Sequence, residues 1–119
     1  MKKLVLTVGI VAPLMAQQDC WTHKEYGRTA EAVTCFTKLG TSKDPALQAE
    51  AMWGLGQYQQ AADLFRAAIQ SRPKEAKLYV RRGDLFASRW KPADAIEDYT
   101  TALEIEEKNT GALLGIALR

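Results

Sequence analysis

Two stretches of the chain carry the clearest alternation of apolar and polar residues. In AADLFRAAIQ (61–70) and ADAIEDYTTALEI (93–105) the apolar positions fall three and four apart, the spacing that gathers side chains on one face of an α-helix. The two stretches superpose on one another: Ala61, Phe65 and Ala68 recur as Ala95, Tyr99 and Ala102. An earlier copy stands in GRTAEAVTCFTKL, where Gly27, Ala32 and Phe36 precede Gly56, Ala61 and Phe65 at an interval five short of the later one. The missing five are assigned to a shorter end of one helix and a shorter start of the next around Gly40 to Pro45, a region dense in turn and cap residues. Helix starts are marked by Asp19, by Asp44 followed by Pro45, and by Lys91 followed by Pro92. The one β-branched cluster lies in the first sixteen residues, so no strand is predicted beyond them. A small residue, a large one four positions on and a second small one let helix axes approach while the large residue fills the gap between them.

The interval from Ala61 to Ala95 is the period of the tetratricopeptide repeat. The resemblance extends to Gly56 and Tyr58 before the small-large-small trio, Pro73 after it, and Tyr79, Gly83 and Phe86 on the next helix. A fourth start is visible where Leu113, Ile116 and Ala117 follow Tyr79, Arg82 and Gly83 by one period. Several positions depart from the family pattern: Trp90 and Pro92 replace the usual glycine and aromatic of the inner turn, Glu107 the closing proline, and Pro45 the large aromatic. The chain thus resembles an exported bacterial member of that family. The resemblance implies an all-α, right-handed α-solenoid of antiparallel helix pairs, with units at about 19–41, 42–75 and 76–109 and a partial one at 110–119.

The first sixteen residues have another character. Met1, Lys2 and Lys3 are followed by an apolar run from Leu4 to Ala16, the layout of a secretory signal peptide, here given as 1–16 with the remaining domain at 17–119. The run is shorter than the ~20 apolar residues that span a bilayer, so no integral span is expected after cleavage, and the expected location is periplasmic or secreted. The alternative is an uncleaved anchor. With Lys2 and Lys3 set aside, basic and acidic residues number fourteen each. No basic block of the kind used on phosphate backbones is present, which argues against a nucleic-acid partner. Cys20 and Cys35 flank the turn near Gly27 at similar distances, and antiparallel helices bring such positions level. In an exported chain an even cysteine count favours a disulfide between them; the alternative is a pair of buried free thiols.

In tetratricopeptide stacks the first helix of each unit lines a concave groove. The resemblance therefore nominates Trp21, Lys24, Glu50, Trp53, Lys77, Val80, Arg81 and Asp84, with Ser88 beyond them, as the binding surface for a protein or peptide. Two placements stay open for Trp21 and Trp53: groove anchors, since tryptophan buries much area at low rotamer cost, or core between units. Some family members clamp the carboxylate end of a chaperone tail. Lys77 and Arg81 match one basic pair of that clamp, but Ala46 and Glu50 stand where a lysine and an asparagine belong. The full set is absent, and an ion pair with Asp84 accounts for Lys77 or Arg81 equally well.

No chemistry of bond-making is nominated. His23 is the single histidine and stands three residues after Cys20; those two fall short of the three or four ligands of a metal site. No nucleophile and base pair is available without it. The stretch Gly54 to Gly56 lacks the lysine and hydroxyl of a phosphate loop and reads as a turn. The expectation is a non-enzymatic scaffold or adaptor without cofactor or metal; the competing reading is an N-terminal assembly or regulatory segment of a larger exported enzyme such as a peptidase. The last helix, 109–119, is apolar nearly all round. That predicts burial on more than one side, either by further repeats or by self-association.

Overall fold

The computed structural model describes residues 19–117, and all secondary structure among them is helical. The leader at 1–16 and the last two residues lie outside the described residues. Residues 19–25 are helical and are labelled α1. They are followed by α2 (Thr29–Leu39), α3 (Pro45–Gly54), α4 (Tyr58–Ser71), α5 (Ala76–Ser88), α6 (Pro92–Ile105) and α7 (Thr110–Ala117). Contacts join α2 to α3, α3 to α4, α4 to α5, α5 to α6 and α6 to α7, with α5 also reaching α7. Each element therefore packs on its sequence neighbours, as expected of stacked helix pairs.

The irregular spacing of the first unit has a simple origin. α2 has 11 residues where α4 and α6 have 14, and α3 has 10 where α5 has 13. The losses fall at the end of α2 and the start of α3, where the connection is one residue longer than that between α4 and α5. α3 is nevertheless firmly started: the Asp44 carboxylate accepts from the Ala46 N–H at 2.9 Å, and Pro45 stands at the first helical position.

The three inner turns are built alike. After α1, α3 and α5, the N–H groups of Arg28, Gln57 and Lys91 reach back to the carbonyls of His23, Met52 and Phe86 at 2.8, 2.8 and 2.9 Å. The residue before each of them takes a left-handed backbone: Gly27 at φ 74°, Gly56 at φ 81° and Trp90 at φ 62°. This is the helix stop that closes on a left-handed residue, normally glycine. In the third unit a tryptophan occupies that position.

The core runs along the seams between helices. Phe36, Phe65 and Tyr99 are buried, as are Ala61, Ala68, Ala95 and Ala102 around them. Tyr99 lies between two glycines on neighbouring helices: a Cβ on Gly83 would come within 2.7 Å of the ring, and one on Gly115 within 2.5 Å. These close approaches let α5 and α7 close on the same aromatic. Cys20 and Cys35 form a disulfide linking α1 to α2, with Cys20 fully buried.

The last helix departs from its sequence expectation. α7 buries Ala112 and Gly115, whereas Leu113 and Leu114 are 51% and 60% exposed. Its covered side is the one that meets α5 and α6.

Candidate binding groove

The first helices α1, α3 and α5 bring a chain of polar and aromatic groups together. Glu50 is at its centre and is 2% exposed. Its Oε1 accepts from the Trp21 indole N–H at 2.9 Å and from Arg81 Nη2 at 2.8 Å, and its Oε2 accepts from Arg81 Nε at 2.7 Å. Arg81 also donates through Nη1 to Asp84 at 3.0 Å, and the other Asp84 oxygen accepts from the Tyr99 hydroxyl at 2.6 Å. A continuous ladder thus runs from Trp21 through Glu50, Arg81 and Asp84 to Tyr99, spanning all three helix pairs. The forked Arg81–Glu50 contact is the strong, geometrically specific kind.

Aromatic packing supports the same ladder. The Trp21 ring meets Phe36 and Trp53 edge-on, each at 5.0 Å, and Trp53 meets Phe65 at 6.4 Å. The Arg81 guanidinium lies 4.7 Å from the Trp53 ring centre, within the range of a cation–π contact. Burial disfavours the charged guanidinium, but the hydrogen bonds and charge of Glu50, with help from Asp84, outweigh it and hold the Arg81 pKa above its ordinary value. Arg82 is likewise raised, first by its hydrogen bonds to Asp98, against the cost of desolvation. That pair, at 2.7 and 2.8 Å, ties α5 to α6.

The nominated residues therefore divide. Trp21, Glu50, Trp53, Arg81 and Asp84 are brought together, but Glu50 is a buried tie between units and offers no open contact. Val80 is turned into the core with Tyr99 and Ala112, because α7 closes over it and Gly111 approaches its methyl groups. Lys24 sits at one edge, donating to the Gly54 carbonyl at 3.2 Å, where a cation suits a helix C-terminus. Lys77 is 73% exposed and pairs with Glu75 at 3.3 Å, not with Asp84. Ser88 donates to the Leu85 carbonyl. Both tryptophans are half-buried and pack against the core, Trp21 beside Phe36 and Trp53 beside Phe65.

Ala46, Glu50, Lys77 and Arg81 line one cleft of about 210 Å³ between α3 and α5, with Leu47 and Leu78 among its walls. These are the positions compared with the carboxylate clamp. Two carboxylates already hold Arg81, and Arg72 at the cleft mouth pairs with Asp44 at 2.8 Å and with Glu75 at 3.3 Å. The cleft thus enters solution with its guanidinium groups satisfied.

Sequence reasoning missed Tyr99 as the end of the ladder and Glu50 as its hinge. A signal existed. Glu50 and Arg81 stand one repeat period apart, less about one helical turn, which places opposite charges on adjacent first helices.

Comparison with known proteins bears on the fold. No model of a known protein family matches the chain. A 60-residue stretch, 50% of this chain, is 35% identical to protein O-mannosyl-transferase TMTC3 of Homo sapiens, and covers 7% of that protein. The Mus musculus counterpart is matched over the same length with the same identity. The chain thus spans under a tenth of the length of these relatives. Among solved structures, the first TPR of Spaghetti (RPAP3) bound to HSP90 peptide SRMEEVD superposes with a TM-score of 0.59 at 24% identity, covering 89% of this chain and 88% of that one. The Arabidopsis OM64 TPR domain gives 0.60 at 22%, over 90% and 93% of the two chains. MamA gives 0.60 at 21%, over 98% and 71%. The chain is folded as a tetratricopeptide-repeat array, an all-α solenoid.

Proposed function

We propose that this chain is a non-catalytic docking module whose groove receives a peptide or a segment of a partner protein. The observation that carries this reading is the ladder across the first helices, which fixes the groove floor before any ligand arrives. Over that floor stand the half-buried Trp53 ring and the exposed Lys24 and Lys77. A preset aromatic anchor with few rotamers to freeze loses little entropy on binding. The first TPR of Spaghetti (RPAP3), bound to HSP90 peptide, supplies a precedent for a peptide ligand on this fold. A carboxylate-ended tail of that kind is a poor match here, because Ala46 and Glu50 put a methyl and a buried carboxylate where cation and amide are needed, and Arg81 is already engaged. The ligand in this reading lays an apolar side chain on Trp53 and an acidic one toward Lys77 or Lys24.

Selection of displayed random peptides against the full chain tests this. Selected peptides should lose about tenfold or more in affinity, some 1.4 kcal/mol, for Trp53→Ala, and a smaller factor for Lys77→Ala. Equal binding to the parent and to both variants would refute the groove as the site. The SRMEEVD peptide should bind no better than a scrambled control.

Export belongs to the same proposal. The basic start and apolar run at 1–16, together with the cysteine pair, support a site of action outside the cytosol, in the periplasm or secreted. N-terminal sequencing of the exported fraction should begin close after Ala16; recovery of the intact leader in the cytosol would overturn it. A second reading, a repeat segment within a larger exported enzyme, is favoured by one observation, the likeness to a much longer transferase.

A further inference from the structure

Trp90 is the least economical residue in the fold. It holds a left-handed backbone that glycine fills in the other two units, and its side chain is 91% exposed. Left-handed strain in bulky residues clusters at binding and functional sites, and an uncovered tryptophan contributes little to the core. Its value lies in what it meets.

Between α4 and α5, reached by the residues on either side of Trp90, is a cleft of about 280 Å³. Tyr58, Ala62, Leu85 and Phe86 supply its apolar walls, and Arg89 and Lys91, the two neighbours of Trp90, supply its rim. The Arg89 guanidinium lies 3.9 Å from the Tyr58 ring centre, and Lys91 Nζ lies 6.0 Å from that of Phe86. Neither cation forms an ion pair among the described residues, and no carboxylate lines the cleft. Two uncompensated cations held against aromatic faces at the mouth of a cleft the size of one side chain are complementary to an acid beside an apolar group.

We infer that this cleft and Trp90 form a second docking site, at the inner-turn edge and separate from the groove, for a protein segment that presents a carboxylate next to a large apolar side chain. The apolar side chain enters between Tyr58 and Phe86, the carboxylate meets Arg89 and Lys91, and the Trp90 indole folds over the bound segment. A concave cleft with mixed polar and aromatic walls favours a peptide over a flat lipid surface.

Chemical-shift mapping on the full, 15N-labelled chain tests the inference. The probes are an acetylated, amidated hexapeptide of alternating glutamate and leucine, its lysine and leucine counterpart, and phosphatidylcholine vesicles containing about one third phosphatidylserine. The acidic peptide should shift the Trp90 indole and the backbone amides of residues 58–62 and 85–91, at least about tenfold more tightly than the lysine peptide. The double variant Arg89→Gln, Lys91→Gln and the separate variant Trp90→Gly should each weaken that binding while leaving the remaining spectrum in place. The spectrum itself reports folding, and Trp90→Gly suits the turn better than the parent residue, so loss of fold does not mimic loss of binding. Equal response to both peptides, undiminished binding by the variants, or shifts confined to the groove would overturn the inference. Acidic vesicles producing these shifts while neither peptide does would assign the edge to lipid and overturn it as well.

Discussion

Trp90→Gly should make the protein more stable, against the usual direction for deleting a large side chain. The parent residue sits at φ 62° in a turn whose hydrogen bonds match those at Gly27 and Gly56. A left-handed backbone costs a residue with a Cβ about 1–2 kcal/mol. Glycine returns part of that gain through the extra freedom of its unfolded chain, about 0.4–1 kcal/mol. At 91% exposure the indole has little packing to lose, so the net gain is about 0.5–1 kcal/mol, or ~2–8 °C in melting temperature for an array of this size. Thermal unfolding followed by circular dichroism measures it. Trp90→Ala is the control, because alanine removes the ring but keeps the backbone cost. If the alanine variant gains as much as the glycine variant, or if glycine gains nothing, the reasoning from backbone strain is wrong.

Other expectations follow from the same contacts. Glu50→Ala leaves Arg81 and the Trp21 indole without their acceptor; since Arg81 keeps partial access to water, the expected cost is about 2–3 kcal/mol, below the ~3–5 of a fully buried pair. Denaturant unfolding reads it, with a red shift of tryptophan emission in the folded state, and a cost under ~1 kcal/mol would show the ladder to be ornamental. Ala95→Leu should overpack the contact around Ala95, which is fully buried, and cost about 1–3 kcal/mol; a melt identical to the parent would remove Ala95 from that contact. Free-thiol titration of unfolded, unreduced protein should find no thiol, and reduction should lower stability by ~3 kcal/mol, given the 15-residue separation of Cys20 and Cys35. Two titratable thiols would contradict the bridge.

Much of this architecture is legible in the sequence, because the repeat writes its packing rules into residue size. Ala61, Phe65, Ala95 and Tyr99 occupy buried places that their sizes alone suggest. The shortened first unit is also readable, since Asp44 and Pro45 mark where α3 begins. The groove was harder. Periodicity tells which face of a first helix looks away from its partner, but not whether a charge there is free or already paired. Glu50 therefore reads as a contact residue until its two donors from other helices are seen, and Val80 reads as open until α7 is placed over it. Trp90 is a related case: as a departure from the glycine pattern it is visible at once, yet its left-handed backbone and full exposure emerge only in three dimensions. The exposure of Leu113 and Leu114 was likewise beyond an all-round apolar pattern, which says that a helix seeks cover without saying which element provides it.

The central claim is that the ladder-braced groove is where a partner segment docks. Its most direct test is the pair of groove indole N–H signals in a two-dimensional NMR titration with a selected peptide. The account predicts a saturable shift of the Trp53 indole, accompanied by amides along α3 and α5, while the Trp21 indole moves little because Glu50 holds it. A peptide that binds tightly yet leaves the Trp53 signal and the α3 and α5 amides unmoved would contradict it.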